Sequence, residues 1–363
     1  MRIRHLSIKN FRGIRELYWA PAPGMNCLIG PGDSTKTTIL DAIETALNPR
    51  SYYIADDSDF YNLDIGSPIT VTVTIGDLPD NFLAENKYGL YLRGWDAENS
   101  TLHDEPTEEL EDVLSIRLKI DESLEAQWSI FNDRIAEAET DPPRVRYKDM
   151  LRIATSRLGP YAERHLSWGR QSVLNQIEES EENVSLRLAE AGRAARRAFK
   201  DSGEEVFKDT TEKVQRLGRD FSVPLIDRYR AELDVQAVNV TTGGIALHDG
   251  TLPLRRLGTG SSRLLVSALQ HDAASSSHIA LIDEVEHGLE PHRIARLLGF
   301  LRSPQQRSGK VPQIFLTTHS PVVIRELEAS DIFTTRSTRG AVKVSGAASA
   351  PDNGMSYPPK FGH

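Results

Sequence analysis

A chain of 363 residues carrying one cysteine and a formal charge of −9 can build one large or two ordinary domains with a substantial core, and is not a small stapled scaffold. Cys27 has no intrachain disulfide partner, and the acidic balance argues against a surface coated with cations for nucleic acid. No apolar run reaches the roughly 18 residues of a membrane-spanning helix and the first residues lack the apolar stretch of a secretory leader, so a cytoplasmic chain with no membrane partner is expected.

In chain order, Ile3, Leu6 and Ile8 mark a half-buried strand over 2–11, and residues 16–19 pair back onto it across Arg12-Gly13. The apolar run 25–29 is a buried strand, and Ile39, Leu40, Ile43 and Leu47 recur at helical spacing. Between them lies Gly30-Pro31-Gly32-Asp33-Ser34-Thr35-Lys36-Thr37. This matches the phosphate-loop pattern G-x-x-x-x-G-K-[ST] except at Thr35, where a second glycine is wanted. In such a loop the backbone N–H groups face a nucleotide's phosphates, the lysine (Lys36) reaches the β- and γ-phosphates, and the Thr37 hydroxyl meets Mg²⁺. Thr35 is a poor substitute for glycine, because a β-branched residue tolerates neither close backbone approach nor a left-handed dihedral.

Residues 50–68 lack periodicity, and Asp57-Ser58-Asp59, with no strand before it, reads as a loop. Residues 69–75 (I-T-V-T-V-T-I) alternate strictly, parts of 113–120 do so too, and 125–131 is a further candidate; together they suggest a partly exposed antiparallel sheet. From about 161 to 224 the chain turns helical and charged, with Arg193, Arg196, Arg197 and Lys200 sharing one helix face. Ser202 and Glu205 suggest a capping box opening a second helix that carries Phe207, Val214, Leu217 and Phe221. This helical hairpin is either a satellite of the core or an arm for dimerisation. The cationic face is either solvated or a contact for DNA phosphates.

After residue 224 an α/β rhythm resumes, with strand candidates at 235–240 and 245–247 about a turn at Gly243-Gly244. Gly258-Thr259-Gly260-Ser261-Ser262 opens onto a helix, a second terminus suited to phosphate. Two such termini on one nucleotide would crowd within a subunit, so the second is expected to cap ATP bound to a partner, in a homodimer. The buried run 279–282 ends in Asp283-Glu284, a Walker B pattern: Asp283 would hold the Mg²⁺ hydration shell near Thr37, and Glu284 would orient or deprotonate the attacking water. After a helix at 291–301 and a strand at 313–317, His319 stands at a strand's carboxyl end, where it would hydrogen-bond the γ-phosphate. The segment 345–363 reads as a disordered tail. The expected organisation is an ATPase lobe at 1–155, a helical insertion at 156–224 and a second lobe at 225–344.

This order of elements resembles the ABC-type ATPase heads of RecF, the SMC proteins and especially the OLD family of ATP-dependent nucleases. Ile8-Lys9-Asn10-Phe11-Arg12-Gly13 and Asp283-Glu284-Val285-Glu286-His287-Gly288-Leu289-Glu290-Pro291 carry the OLD likeness. The resemblance implies an α/β P-loop NTPase with a mixed sheet, an antiparallel lobe and a helical insertion, whose two heads sandwich two ATP molecules. Gly260 and Ser261 of one head would face the γ-phosphate held by Gly32, Lys36 and Thr37 of the other. Glu290 would lie in the D-loop, and Arg12 and Thr38 complete the nucleotide-binding set. Three departures stand out. The signature Leu257-Gly258-Thr259-Gly260-Ser261 is degenerate, Asp77 occupies the setting of a Q-loop glutamine, and a Toprim domain, which needs about 100 residues, is not expected in the short segment after Val344. The expected function is an ATP-hydrolysing switch in DNA transactions or phage defence, with Mg²⁺ as cofactor and a nuclease or effector supplied in trans. The alternative is an ATP-binding scaffold with little hydrolysis, and intrinsic nuclease activity is not expected.

Overall fold

The computed structural model describes residues 1–32, 34–48, 53, 55–84, 87–137, 142–158, 165–168, 172, 174, 184–203, 205–221, 223, 228–231, 233, 245–273, 279–304 and 311–347. The chain divides into two compact units, Met1–Ala162 with Gly258–His363, and Glu163–Leu257.

The first unit is built on one mixed sheet. Its strands are β1 (Arg2–Phe11), β2 (Ile14–Trp19), β3 (Met25–Ile29), β4 (Ile69–Gly76), β5 (Arg93–Asp96), β6 (Thr101–His103), β7 (Glu111–Ile120), β8 (Ala126–Ile130) and β9 (Ser156–Leu158). With β10 (His248–Asp249) and β11 (Leu252–Pro253) assigned to the other unit, the series continues as β12 (Ile279–Ile282), β13 (Gln313–Thr317), β14 (Ile332–Thr338) and β15 (Ala341–Gly346). The order is β6-β5-β7-β4-β1-β2-β15-β14-β3-β13-β12-β9, with β8 on β7. From β14 to β9 neighbouring strands are parallel, whereas β6 to β2 form an antiparallel lobe. This is an α/β architecture on one mixed sheet, with the phosphate loop leaving β3 inside the parallel half.

Helix α1 (Lys36–Leu47) buries Ile39, Leu40, Ile43 and Leu47 in one core with Leu6 and Ile8 of β1, Val71, Val73 and Ile75 of β4, and Ile116 and Leu118 of β7. That burial follows from the strict alternation of β4, which turns every valine and isoleucine toward the helix. The opposite face is less exposed than the alternation suggests. Thr72 and Thr74 are buried, because Arg117 donates to Thr72 and Ser115 pairs with Thr74 at 2.8 Å across the strands. Cys27 packs in the buried β3, and burial pushes its thiol up to about 12. Asp57–Asp59 forms a short 3-10 turn capped by Asp56, rather than an irregular loop. Ser345 and Gly346, expected in the tail, pair with Thr334 and Phe333 in β15.

In the second unit, helices span Val184–Gly203 and Lys208–Asp220. The first runs through Ser202, so the expected capping box does not start the second, which opens at Lys208 instead. Arg193 and Arg197 are exposed and Arg196 half-exposed, while the Lys200 side chain lies outside the description. Phe207, Val214, Leu217 and Phe221 are exposed to solvent in this chain. The strand candidate 235–240 and the Gly243-Gly244 turn lie outside the described residues; Ala246 forms a bridge with Ser167.

Candidate functional site

The phosphate loop leaves the half-buried carboxyl end of β3 at Gly30, where a Cβ would come within 2.5 Å of the Thr335 carbonyl oxygen on β14. Glycine is needed there by close packing, whereas Gly32 faces open space. Pro31 and Gly32 are exposed, Ser34 is buried, and Asp33 lies outside the described residues. Thr35 takes φ 66°, ψ 14°, the left-handed conformation for which the pattern supplies glycine. Its hydroxyl donates to the Ser34 carbonyl at 2.6 Å, and no side chain caps the N-terminus of α1. Lys36 is 6% exposed, its ammonium donating to the carbonyls of Gly30 (3.1 Å) and Pro31 (2.8 Å) and to Ser34 Oγ (3.1 Å). The cation is therefore already folded back over the loop that would cradle phosphate. Thr38 is half-buried one residue beyond Thr37.

Thr37 and Asp283 meet although 246 positions apart: the Thr37 hydroxyl donates to Asp283 Oδ1 at 3.1 Å. The Thr317 hydroxyl, at the end of β13, donates to the same oxygen at 2.6 Å. Two hard oxygens about 3 Å apart match the edge of an octahedron whose metal–oxygen bonds are about 2.0–2.1 Å, so Thr37 and Asp283 fit Mg²⁺. Among the described residues no cluster of three His, Cys, Asp or Glu could hold a metal. Glu284 stands next to this pair at φ 45°, its N–H donating to Thr317 Oγ1 at 2.8 Å and its side chain 59% exposed. His287 Nδ1 lies 3.7 Å from Glu284 Oε2.

A chain of ions runs beneath these residues. Arg157 on β9 reaches Asp283 (3.3 Å), Asp41 (3.0 Å) and Glu44 (3.7 Å). Asp41 in turn holds Arg12 at 2.6 Å, and Arg12 also binds the buried Asp59 at 2.8 Å. Burial works to lower the Arg12 guanidinium, but the hydrogen bond to Asp59 and the charges of Asp41 and Asp59 outweigh it and raise it above its ordinary value. Arg12 therefore sits beside the site with its cation committed to carboxylates. On the other side Arg263, 1% exposed, donates to the carbonyls of Asp283 (2.8 Å) and Glu284 (2.9 Å). Burial depresses its guanidinium against the charges of Asp283, Glu284 and Glu286.

His319 is exposed at the carboxyl end of β13, and its backbone N–H donates to Glu286 Oε1 at 2.7 Å. The Thr318 hydroxyl donates to the other Glu286 oxygen at 2.7 Å, so one carboxylate fixes the turn that presents His319. The loop Gly258–Ser262 enters the helix Thr259–Ala273 directly. Gly260 is buried under the Gly288 carbonyl, with which a Cβ would collide, and Gly288 itself is left-handed at φ 72°. Gly258 and Thr259 remain exposed, Ser262 is buried, and Ser261 Oγ accepts from Arg293, which also pairs with Glu290 at 3.0 Å. Asp77 pairs with Arg2 and Arg4 at the end of the antiparallel lobe.

The structure thus gathers Lys36, Thr37, Asp283 and Glu284 around three strand ends, with His319 following β13. Sequence reasoning missed Arg157, Asp41, Glu286 and the tie between Arg263 and the Asp283-Glu284 turn. The Asp-Glu-Val-Glu run was one available signal, since Glu286 is its third carboxylate. Arg157, in a three-residue strand, left none.

Part of the chain, 62 residues or 17% of it, is 37% identical to the DNA replication and repair protein RecF of Desulforamulus reducens, and this stretch covers 17% of that relative's length. Two solved structures align with nearly the whole chain. One is a Smc head bound to the C-winged-helix domain of ScpA, with TM-score 0.48 and 14% identity over 95% of this chain and 98% of that one. The other is the recombination mediator RecF, with TM-score 0.44 and 12% identity over 94% and 97%. Residues 25–325 match the family described as AAA domain, putative AbiEii toxin, Type IV TA system, and the chain belongs to this family of AAA-domain ATPases.

Proposed function

We propose that this chain is an ATP-hydrolysing, dimerising head that works as a nucleotide switch for an effector, a nuclease or a toxin, carried by another chain. The observation that carries the ATPase reading is the meeting of the Thr37 hydroxyl and the Asp283 carboxylate at 3.1 Å, beside an exposed Glu284. Lys36 would exchange its loop carbonyls for phosphate oxygens, and Glu284 would orient the attacking water. Mg²⁺ held by Thr37 and Asp283 would neutralise charge on the phosphates. Control of a toxin or nuclease in trans draws on the family's description and on the OLD-like motifs around Arg12 and Asp283.

In the dimer, ATP on one head would be capped by the Gly258–Ser262 loop of the other. Gly260 is occupied by the Gly288 carbonyl, so Thr259 and Ser261 are the hydroxyls we assign to the partner's γ-phosphate. The exposed Phe207, Val214, Leu217 and Phe221 suit an arm between subunits, and the Arg193, Arg196, Arg197 and Lys200 face is our candidate for DNA. Glu284→Gln is expected to slow turnover at least about tenfold and to trap an ATP-bound dimer, read by phosphate release and mass in solution. Unchanged hydrolysis would remove Glu284 from this role.

A second reading, ATP binding with little turnover, draws on the left-handed Thr35 and on the tethered Lys36. Mg²⁺-dependent phosphate release that disappears in Lys36→Ala would discard it.

A further inference from the structure

The alternation that buries one face of β4 against α1 leaves a second face on the far side of the sheet. There, Ser7, Thr72 and Arg117 stand in one row across β1, β4 and β7, with Lys9 and Thr70 in the next. This face floors an open trough of about 1100 Å³. The sheet itself separates the trough from α1, since Leu6, Ile8, Val71 and Val73 point the other way into the core.

Arg117 is the unusual group in it. Its guanidinium lies 3.1 Å from the centre of the Phe131 ring, and its Nε donates to the buried Thr72 hydroxyl at 2.9 Å. Among the described residues it makes no ion pair, although burial pushes it down to about 10. The charge of nearby Asp133 offsets this burial in part and that of Arg93 adds to it; Asp133 itself pairs with Arg93 at 2.8 Å, and Asp64 on the rim accepts from Gly66 and Ser67. Lys9, exposed at the same face, lies over the Tyr18 ring at 5.9 Å and is in no ion pair among the described residues. Holding a guanidinium partly out of water beside a carboxylate that another arginine already pairs is costly, and an oxyanion that supplies further negative charge is the natural offset. A planar fork beside rows of hydroxyl donors suits the several oxygens of a phosphate group.

We propose that this trough is a second ligand site, distinct from the phosphate loop, which binds a phosphate-bearing anion through Arg117 and Lys9. The phosphate belongs either to a small free compound or to the backbone of a single-stranded nucleic acid. The site does not depend on the ATPase reading, because its residues and those of the phosphate loop lie on opposite faces of the sheet.

The test uses the full chain without ATP. Binding is measured for inorganic phosphate by calorimetry and for a short fluorescein-labelled oligothymidylate by anisotropy. Lys9→Glu, at an exposed position, and Arg117→Lys are each expected to weaken binding about tenfold, the loss of one charge-assisted contact, with thermal melting of Lys9→Glu unchanged. Lys36→Ala is expected to retain this binding. Tight oligonucleotide binding that falls steeply with salt identifies a nucleic-acid backbone, and phosphate binding with no gain from the oligomer identifies a small compound. Absence of both, indifference to both trough variants, or loss in Lys36→Ala alone would overturn the proposal.

Discussion

Arg157 lies 3.3 Å from Asp283 and, through the same nitrogen, 3.0 Å from Asp41, so one cation on β9 holds together carboxylates from α1 and from the end of β12. Glu44 approaches it as a third, at 3.7 Å. All four side chains are at most a quarter exposed, which keeps their mutual charges poorly screened. Removing Arg157 leaves three carboxylates facing one another, and Arg157→Ala is expected to lose roughly 1–3 kcal/mol in urea denaturation. Arg157→Lys should recover only part of this, because an ammonium lacks the fork that reaches three partners. Equal stability of Arg157→Ala and the parent would show that the cluster is held by something else.

Thr35 adopts a conformation that costs a non-glycine residue roughly 1–2 kcal/mol. Glycine relieves it, though added freedom in the unfolded chain takes back part of the gain. Thr35→Gly is therefore expected to raise stability by about 0.5–1 kcal/mol. It also frees the Ser34 carbonyl from the threonine hydroxyl, and ATP turnover is expected to rise several-fold. A stability gain with unchanged turnover would mean that the strain is local and does not restrain the loop.

Gly258 and Gly260 look interchangeable in the sequence and differ sharply in their surroundings. A Cβ at Gly258 meets nothing within 4 Å, whereas one at Gly260 runs into the Gly288 carbonyl, and backbone cannot move aside as a side-chain tip can. Gly260→Ala is expected to cost about 1–3 kcal/mol and Gly258→Ala less than about 1 kcal/mol. Thermal melts of the two variants decide it, and the reverse order would contradict the packing of the signature loop on the Asp283–Glu290 turn.

The contrast between these glycines shows where the sequence is informative. β3, α1, β13 and the helix Pro291–Leu301 were legible because local signals agree there: an unbroken apolar run, a helical period, and a proline at a helix start. Thr37 and Asp283 could be paired on paper because both motifs end strands of a parallel sheet. Arg157, Asp41 and Glu286 could not, since each acquires its meaning from a partner on another element. β14 was missed because Thr, Ser and Arg dominate it, so no apolar alternation marks it, and β15 offers only the short alternation Val342-Lys343-Val344. The helix through Ser202 overrode a capping pattern that local sequence alone favours. The trough face was visible only as alternating threonines, and its cations come from two other strands.

His5 closes the trough on the β1 side, and burial, followed by the charge of Arg93, lowers its imidazole below the ordinary value of 6.5. The fold thus favours the neutral ring. As pH falls below 6.5 the unfolded chain takes up a proton that the folded chain still refuses, so the unfolded state binds more protons and stability drops with pH. This contribution is complete above the unfolded value and is lost as pH falls from there toward the lower folded one. Replacing His5 with glutamine, which does not titrate, should remove it. The urea midpoint of the parent is expected to fall more than that of His5→Gln between about pH 7.5 and about pH 5. Carboxylates that titrate in both proteins cancel in this comparison. If the two midpoints fall in parallel, His5 is protonated as easily in the folded chain as in the unfolded one, and the neutral ring beside Arg93 is wrong.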